Sequence, residues 1–288
     1  MGFASETSRR DRYRRLKSQL MVATTIAATV VALVPLFLVL GYLLTKGVSS
    51  LNWDFFTRMP APVGEKGGGF ANAIVGTLEI VAIACAIGVP IGIGAGIYLA
   101  ENRGRYLSHS IRFAADILMG LPTIVVGIFV YAIVVRPMNR FSTLAGSIAL
   151  AIVMIPLVTR TTEEMILLVP NELREAALAL GAPRWRTSLS IVARTATSGI
   201  ATGVILAVAR VAGETAPLLF TAFGNRFWST SLTQPIASLT VQVYTYAISP
   251  FADWRRQAWA GALVLTIMVL ALELGVRWMT RGESESAR

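Results

Sequence analysis

Ile117-Leu-Met-Gly-Leu-Pro-Thr-Ile-Val-Val-Gly-Ile-Phe-Val-Tyr-Ala-Ile-Val-Val135 runs without a single charge. A bilayer core about 30 Å thick takes about 20 mostly apolar residues to cross as a helix. Five more stretches read the same way: Leu20–Leu44, Ala73–Ala100, Ser142–Val158, Thr195–Phe220 and Ala258–Met279. Soluble cores do not make six such runs in 288 residues. The chain is 55% hydrophobic and its mean hydropathy is +0.63. These features predict an all-α, polytopic membrane protein with six transmembrane helices. Asp116, Gly120 and Pro122 mark a kink or loop cap at the start of the third span.

Net charge is +10. Basic residues collect on the cytoplasmic side of membrane proteins, and that rule accounts for them better than nucleic acid does. With the N-terminus inside, sixteen Lys and Arg fall in cytoplasmic segments and eight outside, leaving Arg160 and Arg210 in the membrane. Both termini are therefore expected in the cytoplasm. The first apolar run is longer than a signal-peptide core and reads as a retained helix.

The expected order is a basic head (1–18), a first helix (19–46), an extracytoplasmic loop (47–71), a core (72–282) and a short cytoplasmic tail (283–288). Met59-Pro-Ala-Pro62 and Gly67-Gly-Gly69 make the loop irregular, separating a peripheral first helix from the core. Gly88, Gly92 and Gly96 put small residues on one helix face, where a neighbouring backbone comes close. Cys85 reads as core packing. Glu79 and Glu273 also lie in apolar spans, without assignable partners.

The costly charges are in Leu206-Ala-Val-Ala-Arg-Val-Ala-Gly-Glu-Thr-Ala-Pro-Leu-Leu-Phe220. A charge at mid-membrane costs at least about 2.5–3.5 kcal/mol. In a helix, Arg210 and Glu214 share a face at i,i+4. Two readings stand: a salt bridge that fixes packing, or groups that handle something crossing the membrane. Gly213 and Pro217 bracket Glu214 and soften or break the helix there. Arg160, near the cytoplasmic end of its span, reads on its own as a snorkelling residue.

The longest cytoplasmic segment, 163–194, carries Asn171-Glu-Leu-Arg-Glu-Ala-Ala-Leu-Ala-Leu180, a strong helix former stopped by Gly181-Ala-Pro183. The basic segment Arg184-Trp-Arg-Thr-Ser-Leu-Ser190 follows. Helix–Gly–helix suits a docking surface or a plain amphipathic connector. No Gly-x-x-x-x-Gly-Lys-Ser/Thr phosphate loop occurs, so ATP hydrolysis is not expected of this chain. One His and one Cys offer no metal or nucleophile cluster.

Glu175-Ala-Ala177, then Gly181 and Ile191, resembles the EAA loop of ABC-importer permeases. The family's closing Ile-x-Leu-Pro reads here Ile191-Val192-Ala193-Arg194, so the terminal Leu-Pro is absent. Gly120-Leu-Pro-Thr-Ile-Val-Val-Gly127, Val158-Thr-Arg-Thr-Thr-Glu-Glu-Met165, Leu168-Val-Pro-Asn-Glu-Leu-Arg-Glu-Ala-Ala177 and Ala209-Arg-Val-Ala-Gly-Glu-Thr-Ala-Pro-Leu218 resemble the A-type permease (PstA) family of phosphate-specific ABC importers.

The resemblance implies a type I ABC-importer permease fold in the bacterial inner membrane. Arg160, Arg210 and Glu214 would line the path. Glu175, Ala176, Ala177 and Gly181 would form cytoplasmic coupling helices. The implied partners are a homologous second permease, two ATPase subunits, an extracytoplasmic phosphate-binding protein, phosphate and the bilayer. Nucleic acid and cofactors are not implied, and catalysis belongs to the ATPases. Two alternatives remain: a permease for another oxyanion, such as molybdate or sulfate, and an ion-coupled secondary transporter using the charge pair as a proton relay.

Overall fold

The computed structural model describes residues 3–285, with side chains described for 10–275. Of the expected 283–288 tail, 286–288 lie outside the described residues, as do the side chains of Arg9, Arg277, Arg281 and Arg288. The chain folds into helices, and among the described residues β-pairing is limited to one isolated bridge between Pro60 and Gly68.

Helix α1 (Phe3–Val48) takes in the basic head as well as the first span. Its 46 residues extend about 69 Å at 1.5 Å per residue, more than twice a bilayer core. Every residue from 10 to 39 is exposed, so this helix is peripheral to the protein core. Only its end packs on the last helix, α12 (Ala252–Glu285), where Tyr42 meets Trp259 edge to face at 5.0 Å. The loop after α1 holds the short α2 (Trp53–Thr57), capped by the Asn52 side chain. Phe55 stacks on Phe70 at 4.8 Å and closes the loop over the core.

The core is built on α3 (Ala71–Glu101) and α6 (Thr143–Leu167). The glycine stripe of α3 lies against α6. A Cβ on Gly92 would meet Val158 at 2.7 Å, and one on Gly96 would meet the Thr159 carbonyl at 2.7 Å. The small side chains thus let two backbones touch where lipid gives no hydrophobic drive. Around them stand α4 (Tyr106–Gly120), α5 (Thr123–Met138), α9 (Thr197–Ala212) and α10 (Ala216–Thr221). Helix α11 (Leu239–Ala247) covers the end opposite the helices α7 (Asn171–Ala179) and α8 (Arg184–Thr195).

Among the described residues four helices are long and apolar enough to cross a membrane, or up to six if each of two bent pairs, α4 with α5 and α8 with α9 (70°), is one span. Two expected spans are not straight rods. Ile117–Val135 breaks at Leu121–Pro122, and α4 and α5 meet at 105°. Pro122 lacks an N–H and forces Leu121 out of the helical region, to ψ 137°. Thr195–Phe220 becomes α9 and α10, separated by Gly213-Glu214-Thr215. Pro217 offers no N–H to the carbonyl four residues back, that of Gly213, so the ladder stops there.

Candidate functional site

The two breaks face each other. A Cβ on Gly127 of α5 would lie 2.6 Å from Pro217 Cα of α10, so the two broken spans touch backbone to backbone just past their breaks. At this junction Thr123 Oγ1, in the first residue of α5, donates to Glu214 Oε2 at 2.9 Å. Thr240 Oγ1 of α11 donates to the Glu214 backbone carbonyl at 3.0 Å. The Leu239 amide in turn donates to Thr77 Oγ1 of α3 at 2.8 Å. Four elements therefore hold one carboxylate-bearing turn. Glu214 also lies just ahead of α10 and at the start of α5, where helix N-termini favour negative charge.

Arg210 is not part of that arrangement. The expected i,i+4 face requires an unbroken helix, and α9 ends at Ala212. Among the described residues Arg210 makes no ion pair or hydrogen bond, and its side chain is exposed on this chain's surface. Helix geometry thus separates what the spacing joined. The carboxylate accepts from one hydroxyl, that of Thr123, and the guanidinium is left open among the described residues.

Arg160 sits in a different cluster. Its Nε lies 3.4 Å from Asp116 of α4, and its Nη1 donates to Glu163 Oε2 at 3.1 Å. Glu163 is almost fully buried, with its side chain 4% exposed, and also accepts from Arg112 Nε at 2.7 Å. Arg112 donates further to the carbonyl of Leu99 at 3.0 Å. Two carboxylates and two guanidiniums clamp α4, α6 and the end of α3 together. Among the described residues no bond links this cluster to Arg210 or Glu214.

The turn between α7 and α8 is a Schellman closure. The Gly181 amide donates to Leu178 O at 3.0 Å and the Ala182 amide to Ala177 O at 3.1 Å. Gly181 adopts φ +80°, which glycine reaches at little cost. Ala177 is buried, while Glu175 and Ala176 are exposed. Arg174 fixes α7 to the body through an ion pair with Glu101 and a 3.2 Å bond to Ile166 O. Leu173, Leu178 and Trp185 stand exposed on the same two helices, and Leu180, just past the end of α7, is 89% exposed.

Some of these residues escaped the reading by sequence. Thr123 and Thr240 are ordinary threonines, and only the breaks bring them to Glu214. Glu163 carried a visible signal, since Arg160 three residues earlier shares its helix face.

A bundle of broken spans with an anchored helix–turn–helix at one end is the architecture of an importer's membrane subunit. Residues 88–282 match the family described as binding-protein-dependent transport system inner membrane component. Two solved inward-facing forms of the MetNI methionine ABC transporter share the fold, with TM-scores of 0.56 and 0.57 at 16% and 18% identity. They cover 73% and 74% of this chain, and it covers 95% and 94% of theirs.

Among curated proteins, the phosphate transport system permease protein PstA of Yersinia pestis is 48% identical, covering 93% of this chain and 92% of its own. That of Haemophilus influenzae is 48% identical over 92% and 94%. The probable PstA of Methanocaldococcus jannaschii is 34% identical over 94% and 96%. The chain belongs to the binding-protein-dependent transport permeases, in their PstA branch.

Proposed function

We infer that this chain is the membrane-spanning permease subunit of an ATP-driven inorganic phosphate importer, forming half of the translocation path. One observation carries the reading. Where two broken spans meet, Glu214 is held by Thr123 and by the Thr240 bond to its backbone, and Arg210, four residues away, has its guanidinium free. A free guanidinium offers a planar fork of donors matched to phosphate oxygens, and it stays charged at any relevant pH. Glu214 accepts a hydrogen bond from protonated phosphate and repels sulfate, which has no proton to give. Specificity then comes from an unfavourable contact as much as from a favourable one.

The homologous second permease covers the exposed side of Arg210 and completes the path. Two ATPase subunits take the exposed face of α7 and α8, with Glu175, Ala176 and Ala177 in contact and Gly181 making the turn. A phosphate-binding protein delivers from the far side. Closure of the ATPases pushes α7 and rotates α6 and α9, which flank the coupling segment in the chain. Arg160, clamped by Asp116 and Glu163, forms the inner end of the path and opens with that rotation. Both termini lie in the cytoplasm of a bacterial cell.

The test is ATP-driven phosphate uptake by the assembled transporter in proteoliposomes, wild type against Arg210→Ala. Hydrogen bonds to charged groups contribute about 1.5–3 kcal/mol, so the variant is expected to lose about tenfold or more in uptake. Unchanged uptake in Arg210→Ala sinks the assignment of Arg210. Uptake by this chain alone, without ATP, sinks the importer reading itself.

A further inference from the structure

A cavity of about 310 Å³ lies between α10 and α11, at the end of the bundle away from α7 and α8. Leu219 and Phe223 line it on one side, Ser238, Gln242 and Tyr246 on the other. Thr240, on the same α11, is the residue that holds the Glu214 carbonyl. The cavity and the Glu214 turn thus share two walls, one short helix apart.

The polar lining is lopsided. It carries one charge, the Arg226 guanidinium, and no carboxylate. Arg226 is fixed over the Trp254 ring at 5.0 Å, and Trp254 stacks on Tyr246 at 4.4 Å. Tyr246 is 3% exposed, and its hydroxyl has no hydrogen-bond partner. Gln242 approaches that hydroxyl, yet its Nε2 is also buried without a partner. Buried donors are almost always paired, and with the Gln242 amide turned onto the Tyr246 oxygen the tyrosine proton is still left to call for an acceptor.

The other polar groups are occupied. Asn225 uses its amide on Pro235 O and its oxygen on the Phe227 amide. Thr245 donates to Val241 O. Asp253, whose field reaches Tyr246, accepts from the Gly67 amide, Arg256 and Gln257. Burial pushes the Tyr246 hydroxyl up from its ordinary range, so it stays protonated and able to donate, although Arg226 pulls the other way.

We propose that this cavity is a second oxyanion site, in which Arg226, Gln242 Nε2 and the Tyr246 hydroxyl receive inorganic phosphate before it reaches Arg210. The ligand class follows from the lining: one cation and two neutral donors, with no carboxylate among them, favour an anion. The volume takes a tetrahedral oxyanion with some of its water. The wall shared with Glu214 makes the site an antechamber. This rests on the importer reading, which supplies phosphate as the anion and fixes this end as extracytoplasmic.

The test is equilibrium binding of radiolabelled inorganic phosphate to the assembled transporter in nanodiscs, without the binding protein. An Arg210→Ala background silences the inner site. That transporter is expected to bind phosphate, and adding Arg226→Gln is expected to weaken binding about tenfold or more, as for a lost charged hydrogen bond. Tyr246→Phe keeps the ring on Trp254 and removes only the donor, with an expected loss of about fivefold. Absence of binding in the Arg210→Ala transporter overturns the proposal, as does binding that neither added variant weakens. ATP-driven uptake by the wild type is run in parallel. Its failure counts against the importer reading, whatever the binding result.

Discussion

Glu214 shows how one residue changes meaning when its neighbours are known. By spacing it belongs to Arg210. In space it belongs to Thr123, whose hydroxyl is 2.9 Å away. Thr123→Val is expected to leave the carboxylate short of a donor and lower uptake about fivefold to tenfold, with Thr123→Ser restoring most of it. Initial rates of phosphate uptake in proteoliposomes check this. Glu214→Gln removes the repulsion but keeps an acceptor. It is expected to admit sulfate as a competitor of phosphate uptake, and a variant that still excludes sulfate refutes the selectivity role. Glu163 is the costliest carboxylate to disturb. Glu163→Leu leaves Arg112 and Arg160 facing an apolar group, an expected loss of about 3–5 kcal/mol, read as a lower melting temperature of the purified transporter.

At the scale of elements, the breaks matter more than the helices. Prolines at 35, 90 and 156 sit inside unbroken helices. Pro122 and Pro217 stand at the breaks. Composition does not separate these two classes. Each break is kept because its loose backbone finds partners, the Glu214 carbonyl on Thr240 being one. The helix–Gly–helix segment from Asn171 to Thr195 is the opposite case, and its local structure was legible. Its helix former, its Gly181 stop and its basic second part appear in the fold as α7, a Schellman turn and α8. Gly181→Val forces a β-branched residue to φ +80°, and strain of this kind costs about 1–3 kcal/mol. ATPase activity is expected to persist while phosphate uptake falls, and full uptake in this variant would remove the turn from the coupling route. Glu175→Lys, on the exposed face, is expected to weaken ATPase association in a pull-down.

For the whole molecule, topology is the property to test. Alkaline phosphatase fused after Ser231 is expected to be active, and fused after Leu180 inactive, because the two lie at opposite ends of the bundle. The reverse pattern would invert the orientation and with it the assignment of the antechamber. The long α1, exposed along residues 10–39, leans on the rest only through its end. The core does not bury that apolar length.

The sequence alone determined that the chain is a helical membrane protein, where its apolar stretches and its cytoplasm-assigned helix–Gly–helix segment lie along the chain, and which family it joins. Those properties depend on apolar length, charge asymmetry and local turn chemistry, all short-range along the chain. Tertiary structure decided which prolines break a span, that Glu214 pairs with a hydroxyl and not with Arg210, and that Arg160 is clamped at the other end of the bundle. A hydrogen bond between residues 91 positions apart has no periodicity to betray it. It forms only after the two breaks pack together through Gly127 and Pro217.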